Sequence, residues 1–185
     1  MKKIVRLLLA LPVLFLFLSF SPAPLPGQPE WKVVIIRHGE KPEIGDNLSC
    51  QGFQRALQLA GVLHQKFGSV QQVCVPTINT GKKTSTARMY QTILPFAIRH
   101  NVTVNSKYDV NETEKLAEWL KEQSGTSLVV WEHKEIAKLA KDLGTQVTEK
   151  WDEADFDTIL ILTKNKGTIV LSRDRENIHP SATCP

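Results

Sequence analysis

Short apolar runs alternate with longer amphipathic stretches along the chain after Gly27. Runs such as Val33-Val34-Ile35-Ile36 have no polar residue at alternate positions, which is typical of strands buried on both faces of a sheet. The predicted strands cover residues 33–36, 70–75, 102–104, 128–131, 159–162 and 168–171. The last two are predicted to pair through a turn at Asn165-Lys166-Gly167.

Amphipathic stretches between these strands predict helices. The first helix begins after Ser49, whose side chain can cap a helix N-terminus, and ends at Gly68. The others cover about 85–99, which contains Pro95, and about 112–122 and 134–143. Regular alternation of strands and helices predicts an α/β sandwich with a mainly parallel sheet.

The amino-terminal region has a different pattern. Three basic residues within the first six positions precede an apolar run at 7–20, and small or Pro-rich residues follow at 21–27. This order is typical of a secretory leader, and the run is shorter than the roughly 20 apolar residues of a transmembrane helix. We expect residues 1–27 to be a signal peptide or an uncleaved anchor, and 28–185 to form one domain in the periplasm or outside the cell.

Most of the net positive charge of the chain lies in this leader. The chain has 185 residues and a formal charge of +4, which by itself would favour a nucleic-acid or anionic membrane partner. Without the three basic residues of the leader, 20 Lys and Arg stand against 19 Asp and Glu, a net charge of +1. We therefore expect no nucleic-acid partner, and membrane association only through an uncleaved leader. The pattern leaves the oligomeric state open.

Three cysteines, Cys50, Cys74 and Cys184, remain in the exported domain. In an oxidising compartment one pair can form, and three pairings are possible. Cys184 fits a staple for a loose tail, whereas Cys50 and Cys74 fit equally well as small buried apolar residues. Because the chain has no Cys-x-x-Cys and its histidines lack metal-ligand spacing, we expect neither a metal nor another cofactor.

Candidate chemistry follows two of the predicted strands. Arg37-His38-Gly39-Glu40 comes directly after the first strand, and Glu132-His133 after the fourth. Ligands bind at the carboxyl ends of strands in such sheets, so these residues are expected to share a site. The Arg37 guanidinium suits phosphate oxygens, Gly39 permits close approach of the backbone to a ligand, and a neutral His38 can attack phosphorus.

Several motifs together resemble the histidine phosphatase superfamily, in particular the small exported bacterial members of its phosphoglycerate-mutase-like branch. In chain order they are Arg37-His38-Gly39, Leu48-Ser49-x-x-Gly52-x-x-Arg55-Ala56, Ser85-x-x-Arg88-x-x-x-Thr92, His133 after a late hydrophobic strand, and Asp155-Phe156-Asp157. The resemblance covers most of the chain after the leader. It implies a three-layer α/β/α sandwich and metal-independent hydrolysis of a small phosphomonoester.

The resemblance also implies a role for individual residues. His38 resembles the nucleophile that becomes phosphohistidine, and Arg37 and Arg88 resemble the pair that holds the phosphoryl oxygens. His133 resembles the second histidine, which supports the transition-state charge. A carboxylate that protonates the leaving oxygen is expected in the segment Tyr108-Asp109-Val110-Asn111-Glu112, where Asp109 and Glu112 are both candidates.

Two segments depart from the family pattern and concern specificity. Residues 76–84, with Gly81-Lys82-Lys83, separate the second strand from the helix that carries Arg88. Lys134-Glu135 follows His133 where relatives often have small polar residues. Two other functions stay open: a non-catalytic anion-binding module of the cell envelope, and a phosphotransferase similar to phosphoglycerate mutase.

Charged residues near these motifs allow two interpretations. Glu40 and Lys41 either rim the pocket or lie in an exposed charged turn. Lys82 and Lys83 either attract an anionic substrate or lie in a solvated loop.

Overall fold

The computed structural model describes residues 30–78, 84–147 and 149–184. The strands are β1 Lys32–Arg37, β2 Gln72–Cys74, β3 Val104–Asn105, β4 Thr126–Trp131, β5 Thr158–Asn165 and β6 Thr168–Arg175. The helices are α1 Cys50–Phe67, α2 Arg88–His100, α3 Thr113–Lys121 and α4 His133–Asp142, and a 3-10 turn at Thr84–Ala87 leads into α2. The predicted leader, residues 1–27, and the loop lysines Lys82 and Lys83 lie outside the described residues.

One six-stranded sheet has the order β3-β2-β4-β1-β5-β6. The pairs β3–β2, β2–β4 and β4–β1 are parallel, whereas β5 runs antiparallel to β1 and β6 antiparallel to β5. Lys166 and Gly167, both with positive φ, form the turn between β5 and β6, as predicted. The sheet is therefore mainly parallel with an antiparallel hairpin at one edge.

Helices cover both faces of the sheet. Val33 and Ile35 of β1 pack in the cluster that contains the apolar residues of α3 and α4. Val34 and Ile36 pack in the cluster that contains those of α1 and α2. Because both faces of β1 are buried, its run of β-branched residues needs no polar alternation. The three-layer α/β/α sandwich is confirmed.

Some boundaries differ from the prediction because backbone groups are used elsewhere. The strand predicted at 102–104 is only Val104–Asn105, since the Val102 amide donates to Ala97 O at 3.0 Å and closes the end of α2. The strand predicted at 70–75 is shortened to Gln72–Cys74. The helix predicted from 85 starts as a 3-10 turn and runs through Pro95 to His100. No helix among the described residues is long and apolar enough to cross a membrane.

Candidate functional site

The topology brings the two predicted histidines to one edge of the sheet. β1 and β4 are adjacent and parallel, and Arg37 pairs in register with Trp131. His38 directly follows β1, and His133 is the first residue of α4, just after β4. A cavity of about 250 Å³ opens there, lined by Arg37, His38, Lys41, Thr86, Arg88, Met89, Val110, Glu132, His133 and Lys134. The structure thus gathers Arg37, His38, Arg88 and His133 around one cavity.

His38 is held as a neutral imidazole in one tautomer. Its Nδ1 lies 2.7 Å from the backbone oxygen of Gly39, and because a carbonyl only accepts hydrogen bonds, Nδ1 carries the proton. Burial lowers the pKa of His38 to about 4, and the charges of Arg37 and Arg88 act in the same direction. The hydrogen bond to Gly39 acts in the opposite direction but is outweighed. The Nε2 atom therefore keeps a lone pair at neutral pH, as an attack on phosphorus requires.

Arg37 is almost fully buried, yet its hydrogen-bond acceptors are neutral. Nη1 donates to three backbone oxygens at 2.8–3.3 Å, those of Asp152, Glu153 and Asp155. The ring of Phe156 covers the guanidinium, with its centroid 3.8 Å from Cζ. Nε is buried and finds no partner among the described residues. Burial lowers the pKa of Arg37, and the carbonyls hold the side chain without neutralising it.

His133 contacts a carboxylate that the sequence analysis did not assign. Its Nδ1 lies 3.0 Å from Glu132 Oε1 and 3.4 Å from Arg37 Nη2. Burial and then the charge of Arg37 lower the pKa of His133, and the charge of Glu132 opposes them. Nε2 is buried and has no hydrogen-bond partner within the described ranges. The signal for Glu132 was its position next to His133 at the end of a buried strand.

α2 carries Arg88 and ties it to the loop after β1. Gly39 N donates to Thr92 Oγ1 at 2.9 Å, and the same hydroxyl donates to Arg88 O at 2.8 Å. This explains the Arg88-x-x-x-Thr92 spacing, because residues one turn apart share a helix face. Gly39 itself serves packing: a Cβ there would lie 3.0 Å from Gly52 O. Gly39 therefore permits a close approach of α1, and the expectation that it also lets a ligand approach stays a prediction.

The two proposed proton donors do not line the cavity. Glu112 accepts from the Asp109 amide at 3.0 Å and pairs with Lys115. The Lys115 hydrogen bond lowers the pKa of the exposed Glu112, so this carboxylate favours its ionised form. Val110, between the two, does line the cavity. The identity of a general acid stays a prediction.

Glu40 is neither a rim residue nor part of an exposed turn. It is buried, and its two carboxylate oxygens accept from Arg55 Nε at 3.0 and 2.9 Å. Arg55 Nη1 donates to Glu176 at 2.6 Å. Burial raises the pKa of Glu176 to about 7, although Arg55 acts in the opposite direction. This cluster anchors the loop after His38, whereas Lys41 does line the cavity.

A disulfide joins Cys50, the first residue of α1, to Cys184. Cys74 is a free thiol in the core, and burial raises its pKa to about 12. Of the open pairings, the tail staple is therefore the one formed, and Cys74 is the small apolar residue. Between β6 and Cys184 the chain buries Glu176 and Ile178, so the staple holds a segment that also packs.

No group of three or more His, Cys, Asp and Glu side chains within 30–78, 84–147 and 149–184 is arranged to hold a metal ion. The cations of the site are side chains: Arg37, Arg88 and, at the cavity wall, Lys41 and Lys134. The arrangement suits an anion with several oxygens.

The sequence matches no protein-family model and no curated protein. Solved structures do match. The protein histidine phosphatase SixA in complex with tungstate is 16% identical, with 78% of this chain and 97% of that chain covered and a TM-score of 0.57. The alpha-ribazole phosphatase from Shigella flexneri is 13% identical, with coverage of 83% and 98% and a TM-score of 0.54.

A mycobacterial glucosyl-3-phosphoglycerate phosphatase in complex with inorganic phosphate is 14% identical, with coverage of 78% and 95% and a TM-score of 0.54. At these identities the likeness is one of fold. The chain has the α/β fold of the histidine phosphatases, as the resemblance of its motifs implied.

Proposed function

We propose that this protein is an exported histidine phosphatase that hydrolyses a small phosphomonoester through a phosphohistidine on His38, without a metal. One observation carries the proposal: a neutral imidazole with a free Nε2 lone pair shares a cavity of about 250 Å³ with Arg37, Arg88 and His133. Neutral nucleophile and cationic surroundings are the two requirements for attack on a phosphate dianion. The shared fold with solved histidine phosphatases supports this assignment.

In the first step Nε2 of His38 attacks phosphorus, a P–N bond forms and the ester P–O bond breaks. The leaving oxygen carries off the bonding electron pair and takes a proton from water or from a general acid whose identity stays a prediction. The proton stays on Nδ1, which donates it in a hydrogen bond to the Gly39 oxygen, so the phosphorylated ring is held in place. Arg37, Arg88 and His133 contact the phosphoryl oxygens as charge moves toward the leaving oxygen. In the second step water attacks phosphorus, the P–N bond breaks, and inorganic phosphate leaves with His38 neutral again.

Metal independence is proposed from the charges in the site. A metal ion in phosphoryl transfer neutralises oxygens and orients them. Two arginines lining the cavity supply the same positive charge here, and the carbonyls around Arg37 leave that charge available. Activity is therefore expected to persist in the presence of a chelator, and a requirement for a divalent ion would contradict this part of the proposal.

Export is proposed from the leader pattern and is supported by the Cys50–Cys184 disulfide. Such bonds persist in oxidising compartments and are rare in the cytosol. The leader residues themselves lie outside the described part of the chain. Fractionation of the producing cells, with the disulfide state of each fraction measured by thiol labelling, tests this part.

A non-catalytic anion-binding module is the second candidate, because neither Asp109 nor Glu112 lines the cavity. A binding module would hold phosphate but form no covalent adduct. Incubation with a reactive phosphoryl donor such as phosphoramidate, followed by mass spectrometry, separates the two. An acid-labile phosphoryl group on His38 is expected for the phosphatase, and phosphate binding without an adduct would favour the module.

The direct test is the His38→Ala variant of the purified protein with p-nitrophenyl phosphate as substrate. We expect turnover to fall at least about 1,000-fold, since removing the nucleophile removes the covalent path. The matched control is His64→Ala, because His64 is exposed on α1 away from the cavity. Turnover that survives the loss of His38 would overturn the mechanism.

A further inference from the structure

We infer that Glu132 is a positioning residue: it accepts a hydrogen bond from His133 Nδ1 and thereby favours a second proton on Nε2 when a phosphoryl group is bound, so that Nε2 can donate to a phosphoryl oxygen. The inference rests on the proposed function and deepens it. The carboxylate lines the same cavity as both histidines and lies 3.0 Å from His133 Nδ1.

The amino terminus of α4 fixes the position of the Glu132 carboxylate. Glu132 is the N-cap of α4, and its Oε2 accepts from the Lys134 amide at 3.0 Å. The other oxygen, Oε1, is thereby directed to His133 in the neighbouring position. The hydrogen bond from the Lys134 amide therefore fixes the orientation of the carboxylate and, with it, the contact between Glu132 Oε1 and His133 Nδ1.

The proton on Nδ1 follows from the two groups that face it. A carboxylate only accepts hydrogen bonds, and a guanidinium only donates them. Glu132 Oε1 is the closer at 3.0 Å, whereas Arg37 Nη2 lies at 3.4 Å. Arg37 does not depend on this nitrogen, since Nη1 already donates to three carbonyls. We therefore place a proton on Nδ1.

A second proton is needed at Nε2. With Nδ1 protonated, a neutral ring would carry its lone pair on Nε2, and that lone pair would repel a phosphoryl oxygen. Nε2 is buried and unpartnered among the described residues, and His133 lines the cavity. The structure thus assigns a phosphoryl oxygen as the acceptor of an Nε2–H.

The surrounding charges show why a carboxylate is required. Arg37 from β1 and Lys134 from α4 disfavour a positive ring, as does its burial. The same cavity is lined by His38, Arg88 and Lys41, which, when charged, also disfavour a positively charged His133 ring. Two carboxylates favour the charged ring, Glu132 first and Glu153 to a lesser extent. Removal of Glu132 leaves the cations dominant.

Glu132 is not placed as the acid that protonates the leaving group. Both of its carboxylate oxygens are engaged within the protein, Oε2 by the Lys134 amide and Oε1 by His133 Nδ1. Its role is therefore exerted through His133.

Glu132→Gln tests this role because it removes the charge while its amide oxygen can still accept from the Lys134 amide. We expect kcat for p-nitrophenyl phosphate to fall about 10–100-fold, as is usual for residues that orient a catalytic group. KM is expected to change little, since the arginines remain. The high-pH limb of kcat, where His133 loses a proton, is expected to move to lower pH.

The matched control is Glu135→Gln, which removes the same charge from the first turn of the same helix but does not line the cavity. Glu132→Asp is a second control, because Asp keeps the charge and is a good N-cap. We expect its high-pH limb to stay near that of the wild type. A Glu132→Gln profile identical to that of Glu135→Gln would overturn the inference.

A measurement without turnover separates this inference from the proposed function. His133 can be titrated by NMR in the protein saturated with inorganic phosphate, with His133→Gln to assign the signal. We expect the pKa of His133 to be lower in Glu132→Gln than in the wild type, whether or not the protein is a phosphatase. An unchanged His133 titration in an active enzyme would reject the role of Glu132, whereas a lowered pKa in an inactive protein would reject only the phosphatase.

Discussion

Two arginines, Arg37 and Arg55, are buried beside the same loop and have opposite surroundings. Arg55 donates to the carboxylates of Glu40 and Glu176, and although burial acts against its charge, these partners raise its pKa. Arg37 donates to neutral carbonyls, and burial lowers its pKa. Arg55 is bound directly by two carboxylates, whereas the hydrogen bonds of Arg37 Nη1 go to backbone oxygens and its side chain lines the cavity.

This difference distinguishes a cation that is paired with carboxylates inside the protein from one that lines the cavity. A buried ion pair holds elements together, and breaking it exposes an uncompensated charge to the core. A buried cation among dipoles costs stability but exerts a strong field on whatever enters the adjacent cavity. Both arginines stand in motifs of the same resemblance, so the motif alone does not tell them apart.

Arg55→Met is expected to have the largest effect on stability. Loss of this guanidinium leaves Glu40 and Glu176 buried without their partner, and we expect the free energy of unfolding to fall by about 3–5 kcal/mol. Urea unfolding followed by circular dichroism measures it. The triple variant Glu40→Gln, Arg55→Met, Glu176→Gln is expected to recover part of the loss. A triple variant less stable than Arg55→Met alone would contradict this account.

Arg37→Met removes the arginine that lines the cavity. Turnover is expected to fall about 100- to 1,000-fold, because one positive group facing the transition state is lost. The free energy of unfolding is expected to fall less than in Arg55→Met, by about 1–3 kcal/mol, since three backbone oxygens lose their donor but no buried carboxylate loses a direct partner. Arg99→Met, an exposed change on α2, serves as control for both measurements. A large loss of stability with little loss of turnover would make Arg37 structural.

The pH dependence of stability also distinguishes the surroundings of the two arginines, because the charge of Arg37 acts on His38 whereas Arg55 binds Glu176. The pKa of His38 is about 4 against an ordinary 6.5, so its contribution is present above 6.5 and is lost as pH falls toward 4. The pKa of Glu176 is about 7 against an ordinary 4.5, so its contribution is present below 4.5 and is lost as pH rises through 7. The two slopes oppose each other between pH 4.5 and 6.5.

Glu176→Gln removes one of these slopes. Relative to the wild type, the variant should gain about 2–3 kcal/mol in free energy of unfolding from pH 4.5 to 7, because in the wild type the unfolded chain releases the Glu176 proton in this range while the native state keeps it. Urea titrations at several pH values measure the difference. Parallel pH curves for the two proteins would show that Glu176 is ionised throughout.

Much of the fold follows from local patterns. Continuous apolar runs gave β1 and β4, and the Ser49 and Gly68 signals gave the ends of α1. Strand ends near β2 and β3 were predicted less well, because hydrogen bonds from loops and from the end of α2 decide where pairing stops. Such competition between distant backbone groups has no local signal.

The site divides in the same way. Residues placed at strand ends, His38 and His133, were found because topology brings those ends together. Glu132 was placed at the same strand end but given no role, because its contact with His133 depends on the side-chain conformation that it adopts as the N-cap of α4. The partner of Arg55, Glu176, is 121 residues away, and only the folded chain brings the two together.

The Cys50–Cys184 bond has a mechanical consequence. It closes a covalent ring whose ends are 134 residues apart, and of the described strands β1 alone lies outside this ring. β1 nevertheless sits between β4 and β5, which are both inside it. Tension applied at the amino end therefore loads β1 first, and β1 must shear from both neighbours while the ring stays closed. Since His38 is the next residue after β1, we expect a pull from that side to displace this proposed nucleophile while the ring is still closed.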